Sequence, residues 1–242
     1  MRLLRQTIRQ LIKESVYDTG FSKVDWMIAK LGMHEYPTEV VIDLKDQSSH
    51  ALVIKINELK PSVIRGRKRK GSRMAVLQIN SNSNGNCLDA YEVAWAYSPK
   101  KFRWLGIGPL MYEVAMEYIT QEYGVGLSCD RMEVSEHAWP VWEKFYERSK
   151  TDPEITTEPL DFGFGPEEKK FTPNYEADDC EEGTSVDWFL TLKDGDAWSN
   201  EGPTDEFKKW WVEEDPSSRV YKKSPARTIA KLKEVGLLRI NK

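Results

Sequence analysis

The chain has 242 residues, of which 40% are apolar, and its formal net charge is −4. This length suits one large domain or one domain with an appendage, and nine tryptophans help to fill a core of that size. No apolar run is long enough to span a membrane, and three widely spaced cysteines with only three histidines argue against a zinc site or a disulfide framework. We therefore expect an intracellular protein with reduced thiols and no bound metal.

Residues 1–14 have the pattern of a basic amphipathic helix. Apolar residues recur at helical spacing and basic residues occupy the other positions, namely Leu4, Ile8, Leu11 and Ile12 against Arg2, Arg5, Arg9 and Lys13. Such a helix suits a membrane surface, a partner groove or a targeting role, and it equally suits an ordinary first helix packed on the domain. A second helix is predicted over residues 22–32, with Ser22 as its N-cap and Gly32 as its stop.

Four strands are predicted next, at residues 40–44, 51–56, 74–79 and 88–97. A stretch from Arg65 to Arg73 with six basic residues joins the second strand to the third. It suits an anionic partner such as nucleic acid or the phosphates of a coenzyme, and it also suits a solvated hairpin loop. No aromatic residue is interleaved with these charges, which argues against stacking on single-stranded nucleic acid.

The most informative run of the chain lies between the fourth strand and a helix predicted at residues 110–123, and it reads Arg103-Trp104-Leu105-Gly106-Ile107-Gly108-Pro109-Leu110. A Gly-x-Gly turn between a strand and a helix exposes backbone N–H groups, and the helix N-terminus adds partial positive charge. The run therefore suits a phosphate or pyrophosphate. Because residue 111 is Met111, the run is not the Gly-x-Gly-x-x-Gly motif of dinucleotide-binding proteins.

The rest of the chain predicts fewer elements. A strand at residues 125–131 and a helix at residues 135–146 follow the glycine run. Thr151 to Gly183 is rich in Pro, Gly, Asp and Glu, which predicts long loops. One strand and two helices are predicted beyond these loops, at residues 185–192, 205–212 and 225–235, with Gly236 closing the last helix.

The glycine run resembles the coenzyme A loop of the GCN5-related N-acetyltransferase (GNAT) superfamily, and the resemblance extends over residues 88–148. The segment Ser98–Phe102 resembles the lead-in after the family's fourth strand, and Ser135–Tyr146 resembles a later helix of the family. The resemblance implies an α/β fold with a mixed, mostly antiparallel sheet and helices on both faces. It divides the chain into an N-terminal helix, a GNAT-like domain and a helical C-terminal extension, at residues 1–14, 15–195 and 196–242.

The resemblance also implies a function. The chain would transfer an acetyl group from acetyl-CoA, its co-substrate, to an amine of a protein or a small molecule. The pyrophosphate would contact the backbone of residues 104–109, and the residues implied in coenzyme binding are Arg103, Trp104, Leu105, Gly106, Ile107, Gly108 and Pro109. No metal takes part in this reaction.

The groups that would move protons are less clear in the sequence. Trp142 occupies the position where the family usually has a tyrosine as general acid, and an indole N–H does not release a proton at neutral pH. Tyr146 lies one helical turn further on and can take this role, or both rings can simply pack on the sheet. Glu92 in the fourth strand is the candidate general base. Tyr146 and Glu92 are therefore the two catalytic candidates.

The surroundings of Glu92 leave two interpretations open. Alternation groups Glu92 with Ala90, Ala94 and Ala96, opposite Tyr91, Val93, Trp95 and Tyr97. A carboxylate beside small residues suits either the floor of a cleft or a solvent-facing sheet surface. Weaker candidates are Glu133 and Glu136 for contact with substrate and His137 as a base or in a capping role, and Cys129 is expected to be a buried, unreactive thiol.

Residues 1–14 also resemble the short capsid-targeting sequences of internal head proteins in large tailed phages. Those sequences end in Leu/Ile-x-Glu, and Ile12-Lys13-Glu14 supplies that pattern, so a prohead protease would cut between Glu14 and Ser15. The capsid and this protease are then possible partners, and the protein would occupy the host cytoplasm or the virion. The alternative function is a catalytically inactive GNAT-fold virion protein with a structural or partner-binding role.

Overall fold

The computed structural model describes most of a central sheet and the helices packed on it. It covers residues 28–29, 31–32, 34, 37–46, 51–59, 63–64, 67–68, 72–80, 90–105, 107–129, 134–135, 137–160, 198–199, 202–203, 209 and 213–241. The predicted helix at residues 1–14, the predicted strand at 185–192 and most of the predicted helix at 205–212 lie outside the described residues. No helix in this part of the chain is long and apolar enough to cross a membrane.

The strands, numbered in chain order, are β1 (Thr38–Asp46), β2 (Ala51–Glu58), β3 (Val63–Ile64), β4 (Arg67–Lys68), β5 (Arg73–Asn80), β6 (Ala90–Tyr97), β7 (Gly126–Ser128), β8 (Ile155–Pro159), β9 (Trp198–Ser199), β10 (Gly202–Pro203), β11 (Arg219–Lys223) and β12 (Leu238–Asn241). The helices are α1 (Ile107–Tyr123), α2 (Trp139–Ser149) and α3 (Arg227–Glu234), and a 3₁₀ helix spans Lys100–Leu105.

Eight of these strands form one mixed sheet in the order β12-β1-β2-β5-β6-β7-β11-β8. Neighbouring strands are antiparallel at every position except two, where β12 runs parallel to β1 and β6 runs parallel to β7. A parallel pair needs a crossover connection, and α1 provides the one between β6 and β7. The chain therefore has an α/β fold, as the sequence predicted.

The sequence predicted the first half of this sheet well and missed strands in the second half. The first four predicted strands correspond to β1, β2, β5 and β6, the predicted strand at residues 125–131 contains β7, and three predicted helices correspond to α1, α2 and α3. In contrast, β8 lies within the predicted loops at residues 151–183, which is a correction to that prediction. Strands β11 and β12 also belong to this sheet, so the sheet continues past the domain boundary predicted at residue 195. The segment 196–242, which was predicted to be a helical extension, contributes two strands to it.

Helices α1 and α2 pack on the same face of the sheet and enclose the apolar core with it. Helix α1 contacts β2, β5, β7 and β11, and its side chains are buried nearly all the way round the helix. Leu77 and Ile54 are fully buried on the sheet face beneath it. Trp142 of α2 reaches the same core, where its ring lies 5.4 Å from the ring of Tyr221 in β11. The sheet and α1 thereby fix the position of α2.

Two buried carboxylates of α1 attach the C-terminal segment to the domain. Glu117 accepts hydrogen bonds from the backbone N–H groups of Thr228 and Ile229, at 3.0 and 2.8 Å, and so caps the N-terminus of α3. Lys223 of β11 contacts Glu117 and lies 2.7 Å from a carboxylate oxygen of Glu113. All three charged side chains are buried. Their mutual pairing is what makes their burial tolerable.

A β-bulge in β6 changes the face on which its side chains lie. Val93 lies opposite Ile79 of β5 and Trp95 lies opposite Gln78, so Ala94 is an extra residue in β6. Residues that oppose each other across a ladder share a face. Val93 therefore faces the core, whereas Trp95 faces the other side of the sheet. The simple alternation predicted from the sequence, which grouped these two residues, is wrong beyond the bulge.

Candidate functional site

A cleft opens where β6 and β7 separate. The two parallel strands pair over Ala90–Glu92 and Gly126–Ser128, whereas β6 continues to Tyr97. Among the described residues, no strand pairs with Val93–Tyr97 on the β7 side. Residues 93–96 instead line the cleft, so this edge of β6 offers backbone N–H and C=O groups to a ligand.

The cleft has a volume of about 360 Å³ and a neutral lining. Its walls come from β6, from α1, from α2 and from the segment before α2, and they consist of Val93, Ala94, Trp95, Ala96, Tyr112, Val134, Ser135, Ala138 and Trp142. No ionisable Asp, Glu, His, Lys or Arg side chain is part of this lining in the described regions. The cleft therefore suits an apolar or neutral polar group better than a carboxylate or a phosphate.

The glycine run connects the carboxyl end of β6 to the N-terminus of α1. Gly108 and Pro109 belong to the first turn of α1, where backbone N–H groups have no partner within the helix. That turn contains no acidic residue, and a Cβ atom added to Gly108 would meet no other atom within 4 Å. There is therefore open space beside Gly108 in the first turn of α1, where the partial positive charge of the helix N-terminus favours an anion.

The other residues of the predicted coenzyme loop divide into two groups. Leu105 and Ile107 are buried in the core, so only their backbone groups are available to a ligand. Arg103 and Trp104 lie in the 3₁₀ helix, but their side chains are outside the described part of the structure, as is the whole of Gly106.

Tyr112 and Trp142 form the inner wall of the cleft. Their rings meet edge to face, with centroids 5.2 Å apart and planes at 79°, and only 3% and 1% of their surfaces are exposed. Burial raises the pKa of the Tyr112 hydroxyl, and the nearby Cys129 raises it further, so this phenol stays protonated at neutral pH. Tyr112 therefore places a hydroxyl group with a firmly held proton in a neutral cleft.

Sequence reasoning did not identify Tyr112. The one signal that points to it is its distance from the glycine run, because it follows Gly108 by about one helical turn, or roughly 6 Å along the helix axis. A tyrosine in a helix that is apolar nearly all round looks like an ordinary core residue in the sequence. Only the opening between β6 and β7 gives it access to a ligand.

Neither predicted catalytic residue lines the cleft. Glu92 is half-buried and lies opposite Asn80, on the sheet face that also carries Trp95. Tyr146 follows Trp142 by one turn of α2, and its hydroxyl donates a hydrogen bond to the backbone carbonyl of Glu213. The structure therefore does not bring Glu92 and Tyr146 together.

The weaker candidates occupy varied positions. Cys129 is buried and its thiol donates to the carbonyl of Ser217 at 2.9 Å, as expected for a packed thiol. His137 is exposed, and Glu133 and Glu136 lie outside the described residues. At the start of the basic stretch, β4 pairs with β3, which immediately precedes the stretch, as a short antiparallel hairpin.

Comparison of the chain with protein-family models, with curated proteins and with solved structures returned no match. The cleft, the glycine run and the order of the strands therefore carry the functional inference by themselves.

Proposed function

We propose that this protein is an acetyl-CoA-dependent N-acyltransferase of the GNAT type, which transfers an acetyl group to an amine. One observation carries the proposal: the part of β6 beyond its pairing with β7 lines one cleft with Tyr112, which lies about one turn from the N-terminus of α1. A ligand with an anionic end and an extended amide-containing arm fits this combination of a helix terminus and a free strand edge.

The order of the elements supports the proposal. Strand β6 is the fourth strand of the main sheet in chain order, as the resemblance implies for the strand before the coenzyme loop. A glycine run, helix α1, parallel strand β7 and helix α2 follow it in the order that the resemblance implies for residues 88–148. Any one of these features is common among α/β proteins, but their succession is more specific.

The first turn of α1 would bind the pyrophosphate of the coenzyme. The N–H groups of that turn have no partner within the helix and can bind an anion, and no acidic side chain in the turn competes with it. Gly108 leaves room for a phosphate to approach the backbone. The amides of the coenzyme arm can then pair with the edge of β6 at Val93–Tyr97, as an added strand would.

Acetyl-CoA supplies the acyl group as a thioester, and the chain has to align an amine with it and handle two protons. Tyr112 is the residue best placed to donate a hydrogen bond to the departing sulfur, because it lines the cleft and its hydroxyl stays protonated. The released thiolate would then take its proton from water, whereas the resemblance implies a general acid at the position of Trp142.

Among the described lining residues, the proton of the ammonium has no equivalent acceptor. The described lining of the cleft contains no carboxylate and no imidazole, and Glu92 lies outside it. We infer that the amine loses its proton to water before it attacks. The reaction then uses the fraction of the amine that is neutral in solution.

Calorimetric titration of the purified protein with acetyl-CoA tests the coenzyme site. We expect micromolar binding by the wild type and no binding by Gly108→Glu, which places bulk and negative charge at the first turn of α1. Gly32→Glu is the matched control, because Gly32 is exposed and helical and a Cβ atom there also meets nothing within 4 Å. This control should bind acetyl-CoA like the wild type.

Absence of binding by folded wild-type protein would overturn the proposal. Equal binding by the wild type and by Gly108→Glu would remove the glycine run from the site. Loss of binding in Gly32→Glu as well would show that the effect of the charge is not local to α1.

Trp142 favours a second function. This indole is buried where the resemblance implies a phenol, so a GNAT-fold protein without catalytic activity is also consistent with the site. In this second proposal the chain is a phage virion protein, packaged through residues 1–14. Its test is the mass of the protein recovered from phage particles. A chain that begins at Ser15 and turns over no acetyl-CoA with any amine would support it, whereas absence from the particles would exclude it.

A further inference from the structure

Trp95 and Tyr97 form an exposed, stacked aromatic pair near the end of β6. Their ring centroids are 5.8 Å apart with planes at 3°, and 51% and 49% of their surfaces are exposed. Trp95 faces the side of the sheet away from α1 and α2, which we call the outer face, and Tyr97 shares it because it follows two positions later. An isolated exposed aromatic residue needs no explanation, but a parallel pair forms a surface on which a further planar ring can stack.

Arg73 lies on the same outer face, because β5 has a bulge at Met74. Ile56 of β2 lies opposite Ala75, and the next residue of β2, Asn57, lies opposite Arg73, so Met74 is an extra residue in β5. Ile56 belongs to the apolar core. Asn57 and Arg73 therefore face away from the core, as the aromatic pair does.

The start of β5 lies beside the end of β6. Ser98 follows Tyr97 and donates a hydrogen bond to the carbonyl of Met74 at 3.2 Å. Arg73 immediately precedes Met74, so its guanidinium is attached next to the aromatic pair. Arg73 is also the last residue of the basic stretch, and that stretch therefore enters the sheet at the end where the pair lies.

Positive charge predominates at this end of the two strands. Arg73 is exposed, and the exposed Lys100 and Lys101 open the 3₁₀ helix that follows β6. Glu92 is the one acidic residue of β5 and β6, and it lies five positions before Tyr97, roughly 16 Å along the strand. That distance exceeds the screening length at moderate salt, so the charge next to the pair is that of the cations.

We propose that Trp95, Tyr97, Arg73 and Lys100 form a binding surface for single-stranded nucleic acid. A base stacks on the aromatic pair, because every base has a π-face, and the cations neutralise the adjoining phosphates. The basic stretch itself contains no aromatic residue, but the sheet supplies one at its end. The proposal does not rest on the acyltransferase function, because it assigns a different ligand to the outer face. Trp95 also borders the cleft, so the test has to separate this ligand from acetyl-CoA.

The first test measures stacking. A fluorescently labelled oligothymidylate of about 15 nucleotides is titrated with the purified full chain and followed by anisotropy. Trp95→Leu/Tyr97→Leu should bind it at least about tenfold more weakly than the wild type, the loss expected for one stacked base. Trp95→Phe/Tyr97→Phe should keep most of the affinity, because phenylalanine retains the aromatic face. Tyr123→Leu is the matched control, since Tyr123 is 45% exposed at the end of α1, and it should bind like the wild type.

The second test measures charge. Arg73→Gln/Lys100→Gln should reduce the slope of log K against log salt concentration by about 1.4, because each phosphate contact on a single strand contributes about 0.7. Lys144→Gln/Lys233→Gln removes the same charge from exposed positions of α2 and α3 and should keep the wild-type slope. The leucine variant should also keep that slope while its affinity falls. All the substituted positions are exposed, and unfolding curves establish that the variants remain folded.

The outcomes separate this surface from the coenzyme site. Absence of oligothymidylate binding by the folded wild type overturns the proposal, and so does a leucine variant that binds as tightly as the wild type. Equal affinity of the wild type for a DNA duplex of the same length also overturns it, because bases within a duplex offer no free face for stacking. Displacement of the oligothymidylate by acetyl-CoA, with loss of acetyl-CoA binding in the leucine variant, would assign the pair to the coenzyme instead. Oligothymidylate binding by a wild type that does not bind acetyl-CoA would support this proposal and remove the acyltransferase function.

Discussion

Tyr112 and Trp142 meet edge to face across the inner wall of the cleft, with ring centroids 5.2 Å apart. The two residues come from different helices, and the contact joins α1 to α2 at the point where β6 and β7 separate. The resemblance implies a phenol on α2. In the structure this position of α2 holds the indole of Trp142, and the phenol of Tyr112 on α1 packs directly against it. The hydroxyl group is therefore supplied by α1 and not by α2.

This relationship predicts the effect of Tyr112→Phe. Loss of the hydroxyl should lower kcat for acetyl transfer by about 10²-fold, the lower end of what one hydrogen-bond donor to a developing negative charge contributes, with little change in the affinity for acetyl-CoA. Phenylalanine keeps the ring and its edge-to-face contact, so the fold should be retained. The measurement is release of free coenzyme A thiol with a primary amine at saturating acetyl-CoA.

A second variant separates hydrogen-bond donation from packing. Trp142→Tyr in the Tyr112→Phe background places a phenol on the opposite wall and should restore part of the lost kcat. If Tyr112→Phe retains full kcat, Tyr112 is a packing residue only. If the double variant is no better than Tyr112→Phe although it is folded, the donor requires the position on α1.

The neutral lining of the cleft predicts the pH dependence of the reaction. With no ionisable base among the described lining residues, kcat/KM should rise roughly tenfold per pH unit below the pKa of the acceptor, which is about 10.4 for a lysine side chain. For an amine of lower pKa, the break in the profile should move down with that pKa. A break near pH 7 that is the same for every amine would instead reveal an ionising base in the site.

The sequence predicted the part of the fold in which apolar periodicity is strong. Strands β1, β2, β5 and β6 and helix α1 are apolar enough to be recognised from spacing alone. Strand β8 reads Ile-Thr-Thr-Glu-Pro and β11 reads Arg-Val-Tyr-Lys-Lys, so neither shows the alternation that identifies a strand. The burial of Lys223 in β11 depends on Glu113 and Glu117, more than 100 positions earlier, and no local pattern reports such a partner.

The site was predictable to a smaller extent. The glycine run and its place between a strand and a helix are local features, and the sequence shows them directly. The bulge at Ala94 is a property of the register of β6 against β5. It reverses the sheet faces that simple alternation assigns to Trp95 and Tyr97. Tyr112 becomes a candidate only because two parallel strands separate beside it. Register and separation of strands are tertiary properties, and hydrophobic alternation does not encode them.

The buried ion pairs of Lys223 predict a loss of stability in alkali. Burial by itself lowers the pKa of Lys223, but the carboxylates of Glu113 and Glu117 outweigh it and raise the pKa above the ordinary 10.5. The stabilising contribution is therefore complete below pH 10.5, where the unfolded chain is also protonated, and is lost as the pH rises through the higher pKa of the folded state. Urea unfolding at intervals from pH 8 to pH 12 measures this decline.

Lys223→Met provides the comparison. This variant should be less stable than the wild type at pH 8, by about 3 kcal/mol, because Glu113 and Glu117 lose their shared buried cation, although Arg148 still pairs with Glu113 and two backbone N–H groups still bind Glu117. Its free energy of unfolding should then fall less steeply above pH 10.5. Burial also raises the pKa of Tyr118 to about 12, so some decline remains in both proteins. Lys144→Met, at an exposed position of α2, is the control, and its free energy of unfolding should fall with pH as steeply as that of the wild type. An equally steep fall in Lys223→Met would contradict the role of Lys223.

Gly126 predicts the most local effect on stability, because β7 passes very close to β11. A Cβ atom at Gly126 would lie 2.3 Å from a methyl carbon of Val220 and 2.9 Å from the carbonyl oxygen of Tyr221. Gly126→Ala should therefore destabilise the protein by ~1–3 kcal/mol and lower Tm by several degrees. Gly32→Ala is the control, since a Cβ atom there meets nothing within 4 Å and alanine favours a helix.

A double variant identifies which contact matters at Gly126. Adding Val220→Ala removes the nearest methyl group but leaves the carbonyl oxygen of Tyr221 in place. The double variant should therefore recover only part of the loss after the separate cost of Val220→Ala is subtracted. Full recovery would assign the strain to the side chain of Val220 alone. A Gly126→Ala protein as stable as the wild type would mean that β7 and β11 lie further apart, and with them the strands that frame the cleft.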